Sequence, residues 1–345
     1  MNGVLKDCWY VAAMSEEVSR EPLARIVCKE PLVMYRRLSG EPVVLSDLCS
    51  HRRAPLSDGR LIGDRIQCPY HGIEFDPQGQ CVNIPCQEKI PSKSHIKSYP
   101  SVERDGAVWV WMGNTSKVDE RLIPRAPWVD DPAWNSRTVH AYHVPASHVL
   151  TTENLLDLGH VAFLHADTIG FDAAVMKEDP LVMEVEDDCV RNTRIIKNAS
   201  PSPVVQSWAN FPGLIERTSI SEWYPPCYTF ILFRNADDQQ TLDQRINHYI
   251  TPETDHSHHY WVRVSRNFRI DDDVLTQQIY EGNERVHAQD MAIITAQQRM
   301  WDLVPDREEV LIAQDRGVVA ARRILARLAK EETAEEQKQL ASSNT

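Results

Sequence analysis

Cys49-Ser50-His51 and Cys68-Pro69-Tyr70-His71 constrain this chain more than any other stretch of it. Each run pairs one thiol with one imidazole, as Cys-X-His and Cys-X2-His, with sixteen residues between them. Two thiolates and two imidazoles from two loops suit a [2Fe–2S] cluster in which the cysteines hold one iron and the histidines the other. That ligation raises the reduction potential above that of an all-cysteine cluster. A structural zinc site also uses two Cys and two His, but its spacing groups the cysteines in one arm and the histidines in the other. Here each arm carries one of each and can give one ligand to each of two irons, which a single zinc would not need. Pro55, Asp58-Gly59, Pro69, Gly72 and Asp76-Pro77-Gln78-Gly79 are turn formers around both runs, so the ligands are expected at hairpin tips. Such a protein moves electrons, and the question is where they go.

Composition narrows the destination. A chain of 345 residues can bury one large core or two modest ones, and two domains is the better expectation. Hydrophobic residues at 42% and charged residues at 25% are ordinary for a soluble globular protein. A formal net charge of −13 argues against a nucleic-acid partner and against anchoring on an anionic membrane. No apolar run approaches the length of a membrane span. The N-terminus lacks a basic leader with an apolar stretch, so a cytoplasmic protein is expected. Cys8, Cys28, Cys81, Cys86, Cys189 and Cys227 show no compact disulfide framework and are read as free thiols.

The first 115 or so residues read as short strands with tight turns, including Trp9 to Met14, Ala24 to Arg36, Val43 to Asp47 and Ala107 to Met112. The stretch 116–135 is rich in charge and proline and reads as a connection. From 136 to 330 the pattern is mixed. Strand-like segments lie at Leu181–Val185, Val190–Lys197, Tyr228–Arg234, Asn247–Ile250 and Tyr260–Ser265. Asp271 to Asp273 favour the start of a long helix reaching about Met300, and a second helix is expected over Val310 to Lys330. The last residues, 331–345, read as a polar, frayed tail. The fold class expected is α+β: an N-terminal all-β cluster-binding domain, then a catalytic domain with an antiparallel sheet covered by helices.

A second metal site is suggested by His160-X4-His165. Two histidines and one carboxylate on one face of an octahedron grip an iron and leave positions open for dioxygen. Residues five apart on a regular helix are about 140° out of line, so His160 and His165 share an ion only if the helix ends or distorts between them. Gly159 permits that. Asp157, three residues before His160, shares its helical face and reads as a carboxylate that fixes a histidine tautomer. On its own, such a histidine pair is more often structural.

Together these residues resemble the Rieske non-haem iron oxygenases. The first match is Cys49-Ser50-His51-Arg52-Arg53-Ala54-Pro55-Leu56 with Cys68-Pro69-Tyr70-His71-Gly72, and the second is Glu153 or Asn154, Asp157, His160 and His165. Rieske domains of respiratory complexes carry an extra cysteine in each loop, where this chain has Ala54 and Tyr70, which favours the oxygenase type. By this resemblance, Cys49, His51, Cys68 and His71 hold the [2Fe–2S] cluster. His160, His165 and Asp290, the last within His287-Ala288-Gln289-Asp290-Met291, hold an Fe(II) ion. Asp157 is then the catalytic link between His160 and a cluster histidine, His71, of a neighbouring subunit in a homotrimer. Asn154 supports the iron ligands. His248 matches a substrate-contacting histidine of demethylating members, while the neighbouring His256, His258 and His259 read as solvated residues of a polar turn. The stretch Ser147-His148-Val149-Leu150-Thr151 departs from the family pattern beside the expected pocket.

The resemblance implies a terminal oxygenase that uses O2 and electrons from a separate NAD(P)H-dependent reductase to hydroxylate a methyl or methoxy group of a small aromatic acid. The chain has no useful Gly-rich dinucleotide fingerprint, in keeping with nicotinamide binding elsewhere. Two other readings compete. A cis-dihydroxylase is chemically close, but those enzymes usually have longer catalytic chains. A pure electron carrier would leave roughly 200 residues and the His160/His165/Asp290 set without a role.

Overall fold

Alternating and β-branched stretches in the first third of the chain pair into three small sheets. The computed structural model describes residues 4–343. Contacts divide it into two units: Val4–Arg125 with Thr251–Thr254, and Ala126–Ile250 with the chain from Asp255 on.

The first unit contains β1 (Cys8–Met14), β2 (Leu23–Val27), β3 (Glu30–Arg36), β4 (Pro42–Ser46), β5 (Arg60–Ile62), β6 (Arg65–Gln67), β7 (Glu74–Phe75), β8 (Cys81–Asn83), β9 (Ser101–Arg104) and β10 (Ala107–Met112). The sheet orders are β1-β10-β9, β2-β3-β4 and β5-β6-β7-β8. The stretch Ala24 to Arg36, read as one strand, is two. Cys28 and Lys29 take positive φ and reverse the chain, and their amides donate to Pro252 O and Glu253 O at 2.7 and 3.0 Å. These main-chain bonds offset the strain of two non-glycine residues in the left-handed region. Val33, Tyr35, Leu45, Leu56, Ile66 and Phe75 form a core that also includes Cys49 and Cys68.

The second unit comprises β11 (Asn135–Val144), α1 (His148–Leu156), α2 (Val161–Leu164), α3 (Val175–Glu178), β12 (Val182–Glu186), β13 (Cys189–Ala199), α4 (Pro203–Trp208), β14 (Ile215–Tyr224), β15 (Tyr228–Ala236), β16 (Thr241–Pro252), β17 (His258–Arg266), α5 (Asp273–Leu303) and α6 (Arg316–Ser343). Its seven strands form one antiparallel sheet of order β11-β17-β16-β15-β14-β13-β12. β14 escapes the sequence pattern because its inward positions include Ser219 and Ser221. Leu156, Val190, Trp223, Val318, Ala321 and Ile324 pack α1 and α6 on the sheet.

The second helix differs from the sequence expectation at both ends. It starts at Arg316 rather than Val310, and it runs through the stretch read as a polar tail as far as Ser343. That stretch is rich in Ala, Glu, Gln and Lys, polar residues that are nonetheless strong helix formers. Residues 344–345 of the expected tail lie outside the described residues. Among the described residues no helix is long and apolar enough to cross a membrane.

A second correction concerns the histidines after β16. Every position of β17 is buried, so His258 and His259 are interior residues rather than parts of a solvated turn. His258 Nδ1 donates to Ala146 O at 2.7 Å, and Nε2 lies 3.0 Å from the Thr151 hydroxyl, which donates to it. Burial pulls this imidazole down to about 3. The unfolded chain therefore binds a proton between about pH 3 and 6.5 that the folded chain refuses, so stability is full above that window and falls as pH drops through it. Thermal or urea unfolding should show a loss of about 2 kcal/mol from this group between pH 7 and 5. The His258→Gln variant should have a flatter pH–stability profile than wild type. Equal slopes for the two would remove His258 from the account.

Candidate metal centres and the adjoining cavity

The two Cys-His loops of the first unit share one backbone design. In the first, Arg53 N donates to Cys49 O and Cys49 N to Ala54 O, at 2.9 and 3.0 Å. In the second, Gly72 N donates to Cys68 O and Cys68 N to Ile73 O, at 3.1 and 2.8 Å. The fourth residue after each cysteine, Arg53 or Gly72, is left-handed, with φ of 58° and 72°. Glycine takes that conformation freely, whereas arginine there is unusual. Both cysteines are buried and both histidines exposed. The Cys49 and Cys68 thiols are in hydrogen-bonding contact, and the Nδ1 atoms of His51 and His71 face each other at 3.2 Å. The donor set therefore fits a [2Fe–2S] cluster with a cysteine-held inner iron and a histidine-held outer one. Cys81 and Cys86 belong to neither loop, and the Cys81 thiol turns to Asn83 O.

In the second unit the helical run around His160 breaks at Asp157 rather than at Gly159. Asp157 has extended backbone (φ −89°, ψ 97°) and ends α1. A Cβ at Gly159 would lie 1.9 Å from Gln314 Oε1 and 3.0 Å from Asp157 Oδ1, so a larger residue there would displace those side-chain ends. The break lets His160 precede α2 and His165 follow it, with their rings edge-to-face at 5.2 Å between centroids. Asp290, on the buried face of α5, comes to meet them. His165 Nε2 is 3.1 Å and His160 Nε2 3.6 Å from Asp290 Oδ1, and the three ligand atoms lie within 4.8 Å of one another.

Each ligand is oriented by a further bond. His160 Nδ1 donates to Asp157 O, and His165 Nδ1 donates to Gln289 Oε1 at 2.8 Å, so both Nε2 lone pairs point at the shared centre. The main-chain carbonyl of Asp157, not its carboxylate, thus fixes the His160 tautomer. The carboxylate instead accepts from Gly159 N at 2.7 Å. Asn154 Nδ2 donates to Asp290 Oδ1 at 3.2 Å. Burial opposes ionisation of Asp290, but the hydrogen bond and the positive charge that a protonated His165 brings, with His160 beyond, hold its carboxyl below the usual range. Two imidazole nitrogens and one ionised carboxylate on one side of a common point are the donor set of a mononuclear non-haem iron.

The sheet holds the loop that carries these ligands. Ser221 Oγ donates to Leu155 O and Asn192 Nδ2 to Leu156 O, both at 2.7 Å, and Arg194 Nη1 donates to Leu158 O at 3.4 Å. These carbonyls sit at the C-terminal end of α1, where helical partners run out. Glu153 fixes the other side of α1 through a two-pronged bond to Arg322. Neither Gln289 nor these sheet residues carries a sequence signal apart from its neighbours.

A largely apolar cavity adjoins the triad, walled by α4, α5, β15 and β16. His248 lines it, 1% exposed, with Nδ1 2.7 Å from the Tyr260 hydroxyl. Burial keeps His248 neutral and Tyr260 protonated. That hydroxyl makes no other hydrogen bond among the described residues. It therefore donates to Nδ1, and Nε2 carries the ring hydrogen and has no protein partner. The partner of His248 Nδ1 is thus a phenol.

Comparison with known proteins agrees with this geometry. Residues 8–100 match the Rieske [2Fe–2S] domain, and residues 144–331 match the vanillate O-demethylase oxygenase C-terminal domain. The chain is 37% identical to the iron-sulfur subunit of the toluene-4-sulfonate monooxygenase system of Comamonas testosteroni, covering 95% of this chain and 98% of that one. It is 37% identical to the oxygenase component of dicamba O-demethylase of Stenotrophomonas maltophilia, over 78% of this chain and 80% of the relative. Identity to a vanillate O-demethylase oxygenase subunit of a Pseudomonas species is 32%, over 94% of each chain. The crystal structure of dicamba monooxygenase bound to 3,6-dichlorosalicylic acid superposes with a TM-score of 0.87 at 31% identity, covering 96% of this chain and 99% of that chain. With its [2Fe–2S] domain, its non-haem iron donor set and these relatives, the chain belongs to the Rieske non-haem iron oxygenases, as the oxygenase component of a system completed by a reductase.

Proposed function

We propose that this oxygenase hydroxylates a methyl or methoxy group of a small aromatic acid. The observation that carries the reading is the convergence of His160, His165 and Asp290 on the wall of an apolar cavity. The named relatives act on vanillate, dicamba and toluene-4-sulfonate, three aromatic acids that each carry a methyl or methoxy group. When bound at the triad, iron activates dioxygen so that one oxygen atom enters a C–H bond of the methyl group and the other leaves as water. The protein's own part is positional. His160, His165 and Asp290 would hold the metal at the cavity wall, next to the substrate. Apolar walls from Ile231, Phe233, Ile246 and Ile279 exclude water and hold the ring. His248 Nε2–H meets the acid group. A hydroxylated methyl ether collapses to a phenol and formaldehyde, whereas a hydroxylated ring methyl remains an alcohol.

Electrons reach the triad from a cluster held by Cys49, His51, Cys68 and His71, and in this reading from the cluster of a neighbouring subunit. Two surface features support it. Around Asp157 and His160 lies an outer groove edged by exposed apolar side chains, among them Phe163 at 70% and Val310 at 89% exposure, with Glu309 and Asp315 beside them. Around His71 the first unit exposes Tyr70, Arg52 and Arg53. Apolar and opposite-charge complements of this kind suit a head-to-tail ring, most simply a trimer, in which the neighbour's His71 meets Asp157.

Two outcomes test this reading. Purified protein, a generic reductase and NADH, given a panel of methoxy- and methyl-substituted aromatic acids, should release formaldehyde or benzylic alcohol with at least one class. Oxidation of none, or cis-diol products, would refute the reading. The Asp157→Asn variant should keep its metals and, by light scattering, a trimeric mass, yet turn over about 10- to 100-fold more slowly. Normal turnover, or an active monomer, would contradict the inter-subunit route.

A further inference from the structure

The cavity beside the triad has two polar poles, and the acid-binding role of His248 uses only one. Inward side chains of β16 alternate along the strand, so Gln244, Ile246 and His248 all face the cavity. Of the residues lining it, Gln244 and His248 have buried side-chain atoms without a hydrogen-bond partner, Gln244 Nε2 and His248 Nε2. Gln244 is only 4% exposed. A buried donor left unpaired costs about 1–3 kcal/mol, so such a donor on a residue that lines a ligand cavity points to a bond made by the ligand.

The two poles lie at opposite ends of the cavity. His248 is at the metal end, its ring 5.6 Å between centroids from that of His287, one turn of α5 before Asp290. Gln244 is at the other end. Its strand neighbour Asp243 bonds Asn267, and Trp208, which lines the cavity, stacks on the adjacent Phe268 at 5.7 Å. Phe233, opposite Gln244 on β15, closes that end with apolar surface. Four residues of strand span about 13 Å. A substituted benzene ring fits along that span.

We propose that Gln244 is a specificity-determining residue, donating from Nε2 to a hydrogen-bond acceptor on the end of the substrate remote from the oxidised methyl. This rests on the aromatic-acid reading above and sharpens it. The substrate class is an aromatic acid with a second, neutral acceptor such as a carbonyl across the ring from the acid. The acid belongs at His248, at the metal end, where the neutral imidazole held by the Tyr260 hydroxyl offers its Nε2–H. A second anion at Gln244 would be desolvated against Trp208 and Phe233 with only a neutral amide to meet it.

The test uses iron-loaded holoenzyme without reductase, so that ligands bind but do not react. Dissociation constants are measured for 2-methoxybenzoate and 4-acetyl-2-methoxybenzoate on wild type, Gln244→Leu and Gln244→Met, with the visible absorbance of the cluster reporting an intact fold. Wild type should prefer the acetyl compound by about fivefold, the worth of one net hydrogen bond. In both variants that preference should collapse to about one or invert. A preference that survives in both variants, or is absent from wild type, overturns the role of Gln244 alone. Binding of neither ligand by wild type overturns the aromatic-acid reading together with it.

Discussion

A single oxygen atom, Asp290 Oδ1, is where the second unit converges. His165 Nε2, His160 Nε2 and Asn154 Nδ2 all approach it, at 3.1, 3.6 and 3.2 Å, from a segment more than a hundred residues earlier in the chain. Two helical elements and a sheet must be right for that to happen. α5 must place Asp290 on its buried face, and α1 must end at Asp157 so that His160 and His165 can both turn inward. The β13–β14 face must hold the loop between them. Buried carboxylates and imidazoles are unfavourable unless each is paired, and here each is.

The same economy of polar groups extends outward. Carbonyls left over at the end of α1 are taken by Ser221, Asn192 and Arg194, and both imidazole Nδ1 atoms are spoken for by Asp157 O and Gln289 Oε1. Against that background, the unpartnered donors of His248 and Gln244 stand out as places kept for a ligand. The cavity thus separates two tasks. One end fixes where oxygen is delivered, and the other reads what the ring carries.

How much of this was legible in the sequence varied with the physics. The cluster loops were legible because metal ligation demands particular side chains at fixed spacing, and Cys49, His51, Cys68 and His71 do come together. His160 and His165 were legible as a pair, although their geometry needed a helix break that falls at Asp157 instead of Gly159. Asp290 was found only by resemblance, since nothing local distinguishes it among 50 acidic residues. Asn192, Ser221, Gln244 and Gln289 were not legible. Their roles depend on cross-strand register and helix packing, which no local pattern encodes. β14 was missed because Ser219 and Ser221 interrupt its inward apolar positions, and α6 was cut short because a polar run was equated with disorder.

The central claim is that Cys49, His51, Cys68 and His71 hold one iron pool while His160, His165 and Asp290 hold another. Iron and acid-labile sulfide analysis of anaerobically purified wild type and Asp290→Ala, with EPR of the dithionite-reduced proteins, tests it most directly. Wild type should contain about three irons and about two sulfides per chain. Asp290→Ala should drop to about two irons with sulfide and the reduced-cluster EPR signal unchanged. A variant that keeps the wild-type iron content, or loses the cluster signal together with the third iron, would contradict the account.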